Sequence, residues 1–283
     1  MKPILSIVIA NYNYGQFLED AIRSVLVQGM GDSVELIICD GGSTDNSVEV
    51  IKKYSDKIAW WVSEKDGGQS AAFNKGFNHA NGRFLTWLNA DDVLIPDALK
   101  RFETTALLHP ECEWFVGGSM WLDKELKILR MSRARSFSEI RYKMGDLVVW
   151  GPSSFFTKEL LNRVGGVDER FQYMMDIDLW LRFASIAKAR YLPCCKYVWG
   201  FRLHESAKTS GINFSSSGKS DPKHPMWIQL QNERMWMKEH YSQSLKKSVA
   251  FKILSTKIGP ALMSRWDTFR YKGRYYRDLR NIV

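Results

Sequence analysis

Short apolar runs alternate with amphipathic segments through about the first 110 residues of the chain. Four apolar, β-favouring runs predict buried strands, at residues 4–10, 34–39, 58–62 and 83–88. Apolar positions at helical spacing predict four helices, over residues 17–28, 47–54, 70–78 and 96–108. Pro96 is expected in the first turn of the last helix, where its missing N–H costs nothing. This alternation predicts an α/β fold with a mostly parallel sheet covered by helices on both faces.

The second half of the chain has a less regular pattern. It predicts one strand over residues 114–122, a short helix over 136–144, a turn at 151–154 and a helix over 176–186. Residues 205–225 are rich in Ser, Gly and Lys, which is typical of a loop or a linker.

Polar clusters follow three of the predicted strands, at residues 11–13, 40–45 and 89–92. The segment 64–69, which follows the third strand, either joins them or is a solvated loop. Because the carboxyl ends of parallel strands meet at one edge of a sheet, and ligands bind there, the clusters should converge. The sequence therefore predicts a single site at this edge.

Asp91 and Asp92 directly follow an apolar strand, so the repulsion between two adjacent carboxylates has to be offset. A hard divalent cation offsets it, because Mg²⁺ takes oxygen ligands and usually keeps substrate phosphates in the same shell. The alternative is a solvated turn in which Asn89 and the aspartates cap the next helix.

Asp40 ends the second predicted strand beside two glycines, where it could accept hydrogen bonds from a nucleotide base or ribose. The alternative is a tight turn capped by Ser43 or Thr44, and for Asp45 we prefer that interpretation. Asp176 and its neighbour Asp178 either cap the apolar helix that follows or supply a general base.

Composition adds two constraints. The chain has 283 residues, of which 45% are hydrophobic and 25% charged, as in an ordinary soluble protein. The N-terminus lacks the form of a signal peptide, and no apolar run approaches the roughly 20 residues of a spanning helix. The cysteines have no metal-ligand spacing, so we expect free thiols and a cytoplasmic protein.

Taken in order, these motifs resemble the family 2 glycosyltransferases, which have the GT-A fold. The resemblance covers roughly residues 3–210. It is carried by residues 6–13, 40–45, 63–69, 74–76, 88–92, 165–168, 176–182 and 202–204. Each segment is short, but their order and spacing together are specific.

The resemblance implies a GT-A domain over residues 1–210, with a Rossmann-like, mostly parallel sheet flanked by helices. Its nucleotide-binding half would span about residues 1–110 and its acceptor half about 111–210. A flexible linker or loop over 211–225 and a basic, aromatic-rich helical extension over 226–283 would follow.

The activity that the resemblance implies is inverting, metal-dependent sugar transfer. A nucleotide-diphosphate sugar, most readily a UDP-sugar, would donate to a saccharide or lipid-linked saccharide acceptor in cell-surface polysaccharide biosynthesis. Asp176 would be the general base, and Asp91 would hold Mn²⁺ or Mg²⁺ with a further contact from His204. The donor would be bound by Ala10, Asn11, Tyr12, Asp40, Asp66, Gln69, Asn74, Lys75, Asn89, Ala90 and Asp91.

Three residues depart from the family's pattern. Asn89 replaces the first Asp of the metal motif, which removes one charge from the expected ion site. Met175 replaces the Glu before the general base, and the more apolar setting should raise the pKa of Asp176. Ala71 stands where relatives often carry Asp. The alternative function is therefore a catalytically impaired protein that binds a sugar nucleotide.

Residues 226–283 carry most of the net charge of +9, because they hold twelve Lys or Arg against four Asp or Glu. Aromatic residues lie between these cations, which suits an anionic membrane surface and a peripheral position on the inner face of the membrane. The alternatives are packing on the catalytic domain or on a second subunit of a homodimer. Nucleic acid is not expected as a partner, because no recognition motif accompanies the charge.

Overall fold

The computed structural model describes residues 2–134, 151–187, 190–191, 196–208, 225–241 and 272–275. Its strands are β1 (Leu5–Asn11), β2 (Val34–Asp40), β3 (Trp60–Ser63), β4 (Phe84–Asn89), β5 (Val93–Leu94), β6 (Trp114–Val116), β7 (Gly118–Leu122), β8 (Ile128–Ser132), β9 (Ser154–Thr157), β10 (Arg190–Tyr191) and β11 (Tyr197–Arg202). Its helices are α1 (Gly15–Leu26), α2 (Ser47–Lys53), α3 (Gln69–His79), α4 (Ala98–Leu108), α5 (Lys158–Arg163), α6 (Met175–Ile186) and α7 (Pro225–Tyr241).

Within the described residues, a central sheet has the strand order β10-β6-β9-β4-β1-β2-β3. Strand β1 pairs in parallel with β2 and β4, and β2 pairs in parallel with β3. Strand β9 is antiparallel to both β4 and β6. The predicted mostly parallel sheet is confirmed, and the eight strands and helices predicted in the first 110 residues all form.

Alternate residues of β1 explain why helices cover both faces of this sheet. Ile7 and Ile9 are fully buried in a cluster with apolar residues of α1, α2 and α4. Val8 points the other way, into a cluster with residues of α3 and α6. Since side chains alternate along a strand, an uninterrupted apolar run such as this one is stable only between two helical layers.

A second, smaller sheet is built from β5, β11, β7 and β8 in that order. It corrects one prediction, because residues 114–122 form two strands in different sheets. The chain changes sheets at Gly118, whose N–H donates to the Lys196 carbonyl at 2.8 Å. A Cβ at Gly118 would collide with the carbonyl oxygens of Lys196 and Ser132, so the crossing needs a glycine.

The start of α4 corrects a second prediction. The helix begins at Ala98, after Asp97 in the left-handed conformation with φ of 60°, so Pro96 precedes the helix. The reason is tertiary: the N–H of Ile95 donates to the Val198 carbonyl at 2.8 Å, which keeps the chain extended beside β11.

Helix α7 packs against α3 and α6. Leu230 and Met237 are buried in the same apolar cluster as α3 and α6. The Tyr241 hydroxyl donates to Asp178 on α6 at 2.8 Å. For residues 225–241, the structure therefore favours packing on the domain over a free extension. The helix predicted over 136–144 lies outside the described residues, as does the linker predicted over 211–225, except for Pro225.

Candidate active site

A cleft of about 920 Å³ opens at the carboxyl edge of the central sheet. The strand register brings the polar clusters together there, because Asn11 pairs with Asp40, Asp40 with Ser63, and Ala10 with Asn89. The predicted convergence of these clusters is thus confirmed. Several predicted donor-binding residues line the cleft, namely Ala10, Asn11, Tyr12, Asp66, Gln69, Asn89, Ala90 and Asp91.

Asp91 and His204 form a close pair at this cleft. The Asp91 Oδ2 and the His204 Nε2 are 3.1 Å apart, and both side chains are buried. The other ring nitrogen of His204 lies 2.9 Å from the Ser206 hydroxyl, and the Phe17 ring packs on the imidazole with centroids 4.2 Å apart. The loop after β11 therefore delivers His204 to the end of β4 in a defined orientation.

Asp92 points away from the cleft and into the protein, where it is fully buried. Its carboxylate accepts from the Arg202 backbone N–H at 3.0 Å and from the Asn89 side-chain amide at 2.7 Å. Burial and the neighbouring Asp91 raise the pKa of Asp92, while these two donors lower it. The adjacent carboxylates thus have separate surroundings, since only Asp91 lines the cleft.

Asp40 lies behind the cleft wall, and Gly41 and Gly42 line the wall in front of it. Its carboxylate accepts from the side chains of Asn11 at 2.6 Å, Ser43 at 2.5 Å and Ser63 at 2.6 Å. Although burial raises the pKa of Asp40, these hydrogen bonds hold it below the ordinary value. Its observed contacts join β1, β2 and β3, and a direct contact with a nucleoside stays a prediction.

Asn74 and Lys75 also have partners outside the residues that line the cleft. Asn74 donates to the Val167 carbonyl at 2.8 Å and accepts from the Val167 N–H at 2.9 Å. This pair of bonds fixes the turn after α5 against α3. Lys75 forms an ion pair with Glu64 at 2.7 Å. A contact of Asn74 or Lys75 with the donor stays a prediction.

The two carboxylates at the start of α6 are distinguished by their partners. Asp178 is buried and holds the Arg182 guanidinium at 2.6 Å and the Tyr241 hydroxyl at 2.8 Å. Asp176 is half-buried and receives the N–H of Ile177 at 2.8 Å. Burial raises the pKa of Asp176 to about 6, against hydrogen bonds from backbone N–H groups that lower it. The direction agrees with the predicted rise, and a carboxyl group with a pKa near 6 is ionised at neutral pH, as a general base must be.

Sequence reasoning missed several residues of the cleft wall, among them Tyr14, Gln172, Phe201 and Lys208. Gln172 and Lys208 come from segments distant in sequence from the polar clusters, and no local motif marks them. Tyr14 and Phe201 directly adjoin the segments 11–13 and 202–204, so their neighbours were the available signal. Across the described ranges, no group of three or more His, Cys, Asp or Glu side chains is placed to hold a metal ion. No helix in the described part of the chain is both long and apolar enough to cross a membrane.

A cleft at the carboxyl edge of such a sheet, next to the switch in strand order, defines a doubly wound α/β protein with its ligand site in the usual position. The model of the family described as glycosyl transferase family 2 matches residues 6–159. An uncharacterized glycosyltransferase of Mycobacterium tuberculosis is 30% identical over 195 residues, which are 68% of this chain and 73% of the relative. The chain therefore belongs to glycosyltransferase family 2.

Other relatives agree with this assignment. An uncharacterized glycosyltransferase of a Nostoc species is 45% identical over 101 residues, covering 34% of this chain and 31% of the relative. The crystal structure of S. aureus TarS 1–349 in complex with UDP-GlcNAc is similar with a TM-score of 0.61 and 16% identity. It covers 95% of this chain and 75% of that one. This likeness shows the fold, and the predicted GT-A architecture is confirmed.

Proposed function

We propose that this protein transfers a sugar from a UDP-sugar to an acceptor hydroxyl, with inversion at the anomeric carbon, in synthesis of a cell-surface polysaccharide. The observation that carries the proposal is the Asp91–His204 pair at a cleft on the carboxyl edge of the sheet. The similarity of the fold to a protein crystallised with UDP-GlcNAc supports a UDP-sugar as the donor.

The dimensions and lining of the cleft support nucleotide binding. Its volume of about 920 Å³ lies within the range of small-molecule sites, which is roughly 300–1,000 Å³. Tyr12 lines the cleft with 60% of its surface exposed, so a base could cover an aromatic ring that is otherwise left to water. Asp66 also lines the cleft and offers a carboxylate to the hydroxyls of a ribose.

The Asp91–His204 pair fits a divalent cation, because a carboxylate oxygen and an imidazole nitrogen converge within 3.1 Å. Mg²⁺ is commonly held by one or two carboxylates together with substrate phosphates, and Mn²⁺ shares this preference for oxygen ligands, so Asp91 would be the main ligand and His204 a further contact. We propose Asp91 and His204 as the protein's two ligands. When bound, such an ion would neutralise the negative charge that develops on the departing diphosphate.

Asp176 is proposed as the general base. Its carboxylate would take the proton of the acceptor hydroxyl while the acceptor oxygen bonds to the anomeric carbon and the bond to the diphosphate breaks. Attack on the face opposite the leaving group gives inversion in one step. Asp178 cannot take this part, because Arg182 and Tyr241 already occupy its oxygens.

Binding and transfer should be measured separately. Thermal shifts with UDP, GDP, CDP and ADP, with and without Mn²⁺, test the donor, and we expect UDP with Mn²⁺ to stabilise most. Asp91→Asn should remove the Mn²⁺-dependent part of the shift. Asp176→Asn should retain UDP binding and lose transfer to acceptors. Failure of every nucleotide to stabilise the wild type would refute the proposal.

A sugar-nucleotide-binding protein without turnover is the second candidate function. Asn89 and Met175, which depart from the family's pattern, favour it. The assay that separates the two uses radiolabelled UDP-sugars with a broad panel of acceptors. Tight UDP binding by a wild type that transfers and hydrolyses no donor would establish this second function.

We further propose that the acceptor is lipid-linked and that the basic extension, residues 226–283, brings the protein to an anionic membrane surface. Since α7 packs on the catalytic part, the informative truncation is after Tyr241 and leaves this helix in place. Binding to phosphatidylglycerol vesicles should fall steeply with salt and be lost in the truncated protein. Equal binding by both proteins would refute the membrane role, and sedimentation of the same two proteins would report a homodimer.

A further inference from the structure

Lys208 is a cation in the wall of the cleft that none of the proposed steps uses. It follows His204 by four residues, and its ammonium donates to the Gln172 carbonyl at 2.6 Å and to the Gln69 side chain at 3.2 Å. The Tyr173 ring lies 5.1 Å from the ammonium. These partners are all uncharged, and they fix the ammonium at the cleft.

The charge of Lys208 has no direct counterion among the residues that the structure describes. Burial lowers its pKa, and the nearby Glu233 opposes this effect. An ammonium carries three N–H donors, of which two have the acceptors named above. A half-buried cation held by neutral groups, with one N–H still free to donate, is suited to bind an anion in the cleft.

Lys208 is also linked to the residue that departs from the family's metal motif. Gln69 accepts from Lys208 and donates to Asn89 at 2.8 Å, and Asn89 donates to the buried Asp92 at 2.7 Å. The donor-to-acceptor direction of this series of hydrogen bonds is set at both ends, because an ammonium can only donate and a carboxylate accepts. The amide of Asn89 is suited to the middle of the series, since a carboxylate there could not donate to Asp92.

We propose that Lys208 binds an anionic group of the nucleotide-sugar donor, either its diphosphate or a carboxylate on its sugar. This inference rests on the proposed function. A cation linked to Asn89 through Gln69 adds positive charge to a cleft whose motif has one carboxylate fewer than the family's pattern. Lys208 would thereby neutralise part of the negative charge of the nucleotide-sugar donor.

The test compares Lys208→Met with wild type by calorimetric titration of UDP, UDP-glucose and UDP-glucuronate, in EDTA and in Mn²⁺. Loss of a hydrogen bond between charged groups should weaken binding about tenfold to a hundredfold. If all three ligands are weakened, Lys208 binds the diphosphate. If UDP-glucuronate alone is weakened, Lys208 binds the sugar carboxylate. Lys208→Arg should retain more affinity than Lys208→Met.

Two controls separate this effect from folding and from overall charge. Lys100→Met removes the same charge from an exposed position on α4 and should leave each dissociation constant unchanged. Uridine, which has no phosphate, should bind wild type and Lys208→Met equally. Wild-type affinity of Lys208→Met for all three ligands would overturn the inference alone. A wild type that binds none of them would overturn the proposed function as well.

Discussion

Replacing Glu233 tests whether helix α7 is needed by the part of the chain that carries the candidate active site. Glu233 is 7% exposed, and its carboxylate accepts three consecutive backbone N–H groups, those of Gln172 at 2.9 Å, Tyr173 at 2.9 Å and Met174 at 3.0 Å. These residues immediately precede α6, which begins at Met175. Glu233 lies outside residues 6–159, which the family model matches. We expect the loss of its carboxylate to disturb both stability and the general base.

The magnitude follows from these contacts. A hydrogen bond to a charged group contributes about 1.5–3 kcal/mol, and an unsatisfied buried donor costs about 1–3 kcal/mol. The contributions of the three hydrogen bonds do not simply add, because removing Glu233 also removes the cost of burying its charge. We therefore expect Glu233→Ala to lower the free energy of unfolding by roughly 3–5 kcal/mol. Glu233→Gln should cost about half as much, since its amide oxygen can still accept.

The assay combines urea denaturation with steady-state kinetics. Glu239→Gln is the matched control, because Glu239 is an exposed acid on the same helix, and its replacement should change stability by less than about 0.5 kcal/mol. In Glu233→Gln, kcat should fall more than KM for the donor changes, since α6 carries Asp176. A loss below 1 kcal/mol in Glu233→Ala, with unchanged kcat, would refute the reasoning.

Three further substitutions test other parts of the structure. Asp176 has a folded pKa of about 6, raised above its ordinary value, so stability is lost as pH rises through 6. Asp176→Asn should therefore unfold at higher urea than wild type at pH 8 but not at pH 4, and transfer by wild type should rise with pH through about 6. Equal urea midpoints at pH 8 would contradict this account. Asn89→Asp restores the family's motif but loses the donation to Asp92, so it should lower stability in EDTA by roughly 1–3 kcal/mol; an unchanged midpoint would refute it. Gly118→Ala forces a Cβ against the Lys196 carbonyl, so its free energy of unfolding, measured with urea, should fall by about 2 kcal/mol or more. Wild-type stability would show that the crossing between the sheets tolerates a side chain.

The first half of the fold could be predicted because its signals are local. The apolar run of β1 and the helical spacing in α1 each specify an element from neighbouring residues alone. The convergence of the polar clusters followed from the parallel sheet, since its strands end at one edge. The crossing at Gly118 was not predictable, because it depends on the carbonyl of Lys196, which is distant in sequence.

The candidate site divides in the same way. Asp91 and Asp176 could be identified as candidates from short motifs. The structure pairs Asp91 with His204 in the cleft wall and raises the pKa of Asp176 through burial, while their roles stay predictions. Asp40 and Asn74 belong to equally clear motifs, yet their observed partners are other parts of the protein. Lys208 belongs to no motif that marks it, and its position depends on Gln172.

The sequence by itself determined the alternation of strands and helices, the edge at which ligands bind, and the residue types gathered there. The tertiary structure alone decided which of those polar groups face the cleft and which form hydrogen bonds, at about 3 Å, to other residues of the protein. It also decided that α7 packs on the domain, through Glu233 and Met237. The physical reason is range: hydrophobic periodicity is set by adjacent residues, whereas a polar side chain's role depends on whichever donor or acceptor the fold brings beside it.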